Sequence, residues 1–277
     1  MVGSPIAHSK SPLLHETAYK VLGLDWSYVR TEVLEGQLAL FVGGLDASWR
    51  GLSVTMPLKN EAFELSVSRD AHASYTGAVN SLAISHSSGR AVCHGYNTDV
   101  FGISESLRAA GVSTFDHAAI IGGGATALSA LVALDELGFQ RVSVALRDPN
   151  KGAALSTLSN RLGIDVTIVD LVSIDSLSPV DVAISTVPGS AQVRLDNLPR
   201  TSSATLLDVA YDVWPSPRSS EWVQSGGTAI SGLSMLAFQA IKQVRIFVAD
   251  APDAALPNES AVRHAMFTSV GLNEFGL

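Results

Sequence analysis

The sequence predicts an α/β protein of two domains: an N-terminal open mixed sheet, then a doubly wound nucleotide-binding unit, with C-terminal helices returning to the first domain. Three observations predict it. At 277 residues, 47% of them hydrophobic, the chain exceeds one typical domain and can fill two cores. From Ala118 onward, apolar runs of strand length alternate with segments of helical spacing, the mark of a parallel sheet. Earlier, two apolar runs flank Ser87-Ser88-Gly89, which sets an antiparallel hairpin among otherwise parallel strands.

Taken in order, Ser11 followed by Pro12 predicts an N-cap with proline at the first helical position, and Leu13, Leu14, Ala18, Val21 and Leu22 recur at helical spacing until Gly23. Trp26 to Val33 alternates as a strand, Leu34 to Leu45 reads as a helix, and Arg50 to Thr55 returns to strand. Val79 to His86 and Arg90 to Tyr96 form the hairpin, with a helix from Val100 to Ala110 behind it. The second domain reads as strand Ala118 to Ile121, helix Ala125 to Leu137, strand Arg141 to Leu146, helix Lys151 to Leu162, then strands Val166 to Val169, Val182 to Ser185 and Thr205 to Val209. Helices Leu233 to Val248 and Glu259 to Val270 close the chain. The expected division is 1–101, completed by 234–277, against 102–233.

Composition narrows the function. The 26 acids and 18 bases give a net charge of -8, which argues against general affinity for nucleic acid or an anionic membrane. A lone Cys93 forms no internal disulfide, and its apolar setting predicts a packed, reduced thiol. No apolar run reaches spanning length and Met1-Val-Gly-Ser-Pro lacks the features of a signal peptide, so cytoplasm is the expected compartment. His8 and His15 lack partners at metal-ligand spacing, and no metal is expected.

Ile120-Ile121-Gly122-Gly123-Gly124-Ala125-Thr126 reads as a strand, a glycine turn and a helix start, the layout of a Rossmann-like phosphate site, where backbone N–H groups and the helix dipole face negative charge. A tight turn without ligand is the competing reading. Thr186, past a later strand, joins the expected cofactor set. Cofactor choice is read where the next strand ends, at Arg147-Asp148-Pro149-Asn150-Lys151. Arg147 and Lys151 favour the 2′-phosphate of NADP, whereas Asp148 would suit the ribose of NAD.

In the first domain, Lys59 follows a strand and a proline, and Asp99 lies forty residues on in Asn97-Thr98-Asp99. Brought together, an ammonium and the carboxylate that orients it make a proton-handling pair. Ser9 and Ser11 put two hydroxyls on the loop before the first helix, suited either to a small polar acid or simply to capping.

Five ordered segments give the chain a resemblance to the shikimate dehydrogenase family: Gly3-Ser-Pro-Ile-Ala-His-Ser9-Lys-Ser11-Pro, Ser53-Val-Thr55-Met-Pro-Leu-Lys59, Gly77-Ala-Val-Asn80, Asn97-Thr-Asp99-Val-Phe-Gly102 and Gly232-Leu-Ser-Met235-Leu-Ala-Phe-Gln239. The resemblance implies NADPH-dependent, reversible reduction of 3-dehydroshikimate to shikimate in aromatic amino acid biosynthesis. By position, it implies that Lys59 and Asp99 are catalytic. Ser9, Ser11 and Tyr211 would hold the substrate carboxylate, Thr55, Asn80 and Gln239 would join the ring-hydroxyl contacts, and Met235 would lie against the nicotinamide. The chain departs from the pattern at Ser53, where Asn is common, at Ala125 and Ser231, and in Tyr211-Asp-Val-Trp-Pro-Ser-Pro217. The competing functions are an NAD-linked quinate or shikimate dehydrogenase of catabolism, a ligand-binding regulator without chemistry, and a dehydrogenase of the same plan acting on folates. A monomer or a homodimer is expected.

Overall fold

The computed structural model describes residues 1–113 and 116–277. Within them the chain forms two compact units, Met1–Asp99 with Ala237–Glu274, and Val100–Leu236 with Phe275–Leu277.

The first unit begins with β1 (Val2–Gly3), α1 (Ser11–Leu22), β2 (Thr31–Glu32), α2 (Leu38–Gly43) and β3 (Gly51–Ser53). There follow α3 (Lys59–Leu65), β4 (Ser68–Arg69), α4 (Ala71–Thr76), β5 (Ser81–Ser87) and β6 (Arg90–Tyr96). One sheet has the order β3-β5-β6-β4, and the parallel pair β1-β2 joins it through a Val2–Val54 bridge. The hairpin β5-β6 turns at Ser88 and Gly89, both with positive φ, as a two-residue turn that matches strand twist requires. Besides the expected hairpin, the sheet holds a second antiparallel pair, β3 with β5. Val54, Leu82, Ile84, Leu38, Val42 and Cys93 share the core, and burial raises the free Cys93 thiol to about 11.

Three local expectations are corrected. Ser11 is not the N-cap of α1: Lys10 takes that place without a side-chain cap, while the Ser11 N–H donates to Ser9 Oγ at 3.2 Å. The alternating stretch from Trp26 pairs as a strand only at Thr31–Glu32, because β1 offers it just two residues. The helix expected from Leu34 starts at Leu38, since Gly36 is left-handed (φ 81°) and the Glu61 carboxylate takes the N–H groups of Gly36 and Leu38 at 2.6 and 3.3 Å.

The second unit carries α5 (Asp99–Ala109, its first residue in the first unit), β7 (His117–Ile121), α6 (Ala125–Leu137), β8 (Arg141–Leu146), α7 (Ala153–Leu162) and β9 (Asp165–Asp170). It continues with β10 (Val180–Ser185), β11 (Arg200–Asp208), α8 (Pro217–Gln224) and β12 (Thr228–Ser231). The sheet order β12-β11-β10-β7-β8-β9 is parallel throughout and reverses direction between β7 and β10. That reversal is where a doubly wound sheet opens its ligand crevice, at the strands' carboxyl ends. Alternate residues feed two cores: Ile120, Val144, Ile184 and Leu207 on one face, Ala119, Ile121, Ala183 and Leu206 on the other. The helix expected from Lys151 opens as a 3-10 turn, Pro149–Gly152, before α7 takes over. The chain closes with α9 (Gly232–Ala249), whose residues from Ala237 on belong to the first unit, and α10 (Glu259–Ser269).

Candidate active site

Lys59 stands at the start of α3 and Asp99 at the start of α5, so each is delivered by a helix N-terminus just past the sheet. Lys59 Nζ donates to Asp99 Oδ2 in a short ion pair, with side-chain exposures of 15% and 5%. Asn80, at the entry to β5, donates from Nδ2 to Asp99 Oδ1 at 2.8 Å. Both carboxylate oxygens are thereby engaged, and the carboxylate is held in one orientation facing the ammonium.

The polarity of the surrounding amides follows from one backbone group. The Thr98 N–H can only donate, and it lies 2.8 Å from Asn80 Oδ1, so the Asn80 nitrogen must face the other way, toward Asp99 and, at 2.8 Å, toward Gln239 Oε1. Gln239 Oε1 also receives Gln243 Nε2 at 3.2 Å, one helical turn along α9. Gln243 Oε1 then accepts from Ser53 Oγ at 2.6 Å and from His15 Nε2 at 3.0 Å. Ser81 closes the ring, accepting from Gln243 Nε2 at 2.9 Å and donating to Asn80 Oδ1 at 2.8 Å. Fully buried His15, stacked on Tyr28 at 4.1 Å, is held neutral, its pKa pushed down to about 3, chiefly by burial.

The ring turns every acceptor of Gln239 inward. Among the described residues the Gln239 amide nitrogen makes no hydrogen bond, Lys59 Nζ makes only the one to Asp99, and the Thr55 hydroxyl makes none. Three donors are thus left for a ligand rich in oxygen. The first loop adds another: Ser9 Oγ donates to Ser11 Oγ at 3.2 Å, which leaves the Ser11 proton to a further acceptor, and both serines are buried. Arg30 secures this loop by bonding the Ser9 carbonyl at 2.8 Å, and Ser4 N bonds Met56 O at 3.0 Å, laying the loop beside the segment that carries Thr55. Tyr211 lies in the second unit, past β11. Gln243, Ser53, Ser81, Thr98 and His15 are the members that the sequence reading did not assign to the site; the Gln239–Gln243 spacing on a buried helix was a signal for Gln243 alone.

In the second unit a groove of about 800 Å³ lies at the switch point. Gly122 ends β7 with φ 111°, and a Cβ there would stand 2.5 Å from Thr186 Oγ1, whose hydroxyl donates to Ile121 O at 3.0 Å. Thr186 therefore shapes the turn as well as lining the groove. Gly123 packs under Leu146, and a Cβ at Gly124 would meet open space. Gly124 caps α6 without a side chain, so Ala125 and Thr126 open a helix whose N-terminus is bare for an anion. Arg147 and Lys151 are exposed on the groove wall. Asp148 lines the groove with them, and its Oδ1 accepts from the Asn150 N–H at 3.2 Å and the Asn150 amide at 3.1 Å, capping the 3-10 turn. These residues fit a dinucleotide with a phosphate on its ribose. Met235 is buried in the unit's core with Ile230 and Leu207. Among the described residues no group of three His, Cys, Asp or Glu is placed to hold a metal.

Comparison with known proteins bears on the same arrangement. Residues 1–82 match the family model described as the shikimate dehydrogenase substrate binding domain. The chain is 31% identical over 278 residues to the NADP(+) shikimate dehydrogenase of Citrifermentans bemidjiense, covering 96% of this chain and 93% of that one. Among solved structures it resembles the shikimate dehydrogenase of Mycobacterium tuberculosis, with a TM-score of 0.81 and 35% identity over 97% of this chain and 96% of that one. It also resembles the shikimate 5-dehydrogenase of Thermus thermophilus in complex with NADP(H) and shikimate, with a TM-score of 0.79 and 26% identity over 97% of each chain. With near full-length identity above 30% added to a half-buried lysine-carboxylate pair and a doubly wound glycine-turn unit, this chain belongs to the shikimate dehydrogenase family.

Proposed function

We propose that this chain catalyses the reversible, NADP-linked interconversion of 3-dehydroshikimate and shikimate, a step toward the aromatic amino acids. The observation that carries the reading is the Lys59–Asp99 pair set beside the donor-only face of Gln239. NADPH, when bound, supplies hydride to the carbonyl carbon. As negative charge gathers on the carbonyl oxygen, Lys59 gives it a proton, and Asp99 keeps the ammonium directed at that oxygen. Gln239 and Thr55 donate to ring hydroxyls, Asn80 holds Asp99 and Gln239 in register, and Ser9 and Ser11 receive the carboxylate. Gly122, Gly123, Gly124, Ala125 and Thr126 would hold the pyrophosphate, Thr186 and Met235 the nicotinamide end, and Arg147 with Lys151 the 2′-phosphate.

NADP is favoured over NAD by two exposed cations, Arg147 and Lys151, on the groove wall, with one oxygen of the neighbouring Asp148 carboxylate spent on Asn150. No helix among the described residues is long and apolar enough to cross a membrane, and a cytoplasmic monomer or homodimer without nucleic-acid partners suits the net charge of -8. Initial rates with NADP+ and NAD+, each against shikimate and quinate, test the proposal. It expects shikimate with NADP+ to be the fastest pair; a clear preference for quinate with NAD+ gives the catabolic alternative, and binding without turnover at any pH gives a regulator.

A further inference from the structure

A buried cation in the second unit takes no part in the mechanism above. Arg218, in the first turn of α8, is 3% exposed, and its Nε donates to Asp208 Oδ2 at 2.8 Å, Asp208 being fully buried at the end of β11. Ser216 Oγ donates to the same oxygen at 2.6 Å. The other guanidinium nitrogens reach one loop: Nη1 donates to Ala191 O at 3.2 Å, and Nη2 to Pro188 O at 3.2 Å and Val187 O at 3.4 Å. Val187, Pro188 and Ala191 belong to the wall of the dinucleotide groove, directly after Thr186.

A planar guanidinium bound to a buried carboxylate has a fixed direction, and here that direction gathers three loop carbonyls onto itself. In a trans peptide the C=O of one residue and the N–H of the next point opposite ways. With the carbonyls of Pro188 and Ala191 turned to Arg218, the N–H groups of Gly189 and Gln192 are turned from it. Without the guanidinium, the Val187 carbonyl loses its bond, and those of Pro188 and Ala191 keep only the backbone N–H groups of Ala191 at 3.0 Å and Val193 at 2.9 Å, so the loop is freer to turn acceptors toward an anionic ligand.

We propose that Arg218 is a positioning residue for the dinucleotide. Its fork holds the carbonyl groups of Val187, Pro188 and Ala191 to itself, so that this part of the wall meets the cofactor's negative charge without those acceptors. This rests on reading the groove as an NADP site, and its test separates the two. NADPH binding is followed by its fluorescence in the whole chain, for the wild type, Arg218→Lys, and the neutral double variant Asp208→Asn with Arg218→Met. The lysine keeps a charge for Asp208 but has no fork, and the double variant removes both buried charges together, which avoids stranding one of them. Both variants are expected to bind NADPH about tenfold more weakly, the scale of one lost charge-assisted hydrogen bond, while the KM for shikimate at saturating cofactor changes less than about twofold. On the wild type, hydrogen exchange across 187–193 is expected to slow when NADP+ is added. Variants that melt cooperatively and bind NADPH as the wild type does, equal losses for shikimate and NADPH, or exchange across 187–193 indifferent to NADP+ would overturn the proposal. A wild-type chain that binds no NADPH overturns the reading of the groove together with it.

Discussion

Around Asp99 side chains orient one another from a single backbone anchor: Thr98 N–H sets Asn80, Asn80 sets Gln239, Gln239 meets Gln243, and Gln243 meets His15. Around Gly122 they are backbone groups, and what matters is the absence of side chains: a left-handed glycine against Thr186, an uncapped helix start, and a loop held from behind by Arg218. The first region suits a small ligand whose hydroxyls must be told apart, because fixed donors and acceptors penalise a mismatched group. The second suits a phosphate chain, which asks for N–H groups and room. Specificity in one place is held in side-chain polarity, and in the other in backbone shape.

The sharpest way to break this contrast is Lys59→Ala. It should lower kcat/KM for shikimate by about 10²- to 10⁴-fold, or roughly 3 to 5 kcal/mol of barrier, with NADPH binding unchanged in a fluorescence titration. Next comes acid stability. His15 is neutral when folded and binds no proton until pH falls to about 3, whereas the unfolded chain takes one up near 6.5, so the unfolded state holds the extra proton between these values. Stability should therefore fall as pH drops through that window, by roughly 1 kcal/mol per pH unit from this group, and His15→Gln should remove that share of the slope in denaturant titrations. On the backbone side, Gly122→Ala puts a Cβ against Thr186 at a φ that side chains resist, and should cost about 1 to 3 kcal/mol in stability or NADPH affinity while sparing shikimate recognition. Smallest is Gln243→Glu. A carboxylate there sets an acceptor against Gln239 Oε1, which Asn80 Nδ2 still holds in place, so the amide is loosened rather than turned, raising the KM for shikimate about tenfold with the KM for NADP+ unmoved. Equal movement of both constants would show the ring to be mere packing.

Long periodic elements were legible: α6 and β8 lie on the residues their patterns predict, because a buried helix and a central strand each carry an unbroken period. Short elements were not. β4 and β12 have two and four residues, and their pairing is decided by β6 and β11, which lie far off in sequence. α8 buries only Arg218, Ser219 and Trp222, so its pattern shows no apolar stripe. In the site, Lys59, Asp99, Asn80 and Gln239 were readable from ordered segments, and the structure gathers all four. Gln243, Ser81 and Arg218 were hidden because a polar residue's value there depends on partners up to 228 residues away, which no local pattern records.

The most direct measurement is a crystal structure of the chain with shikimate and NADP+. The account predicts the Lys59 amine and the Asp99 carboxylate within hydrogen-bond reach of the hydroxyl that becomes the ketone, with the Gln239 amide nitrogen on a ring oxygen. A shikimate ring seated away from Lys59, or a lysine turned from that hydroxyl, would contradict it.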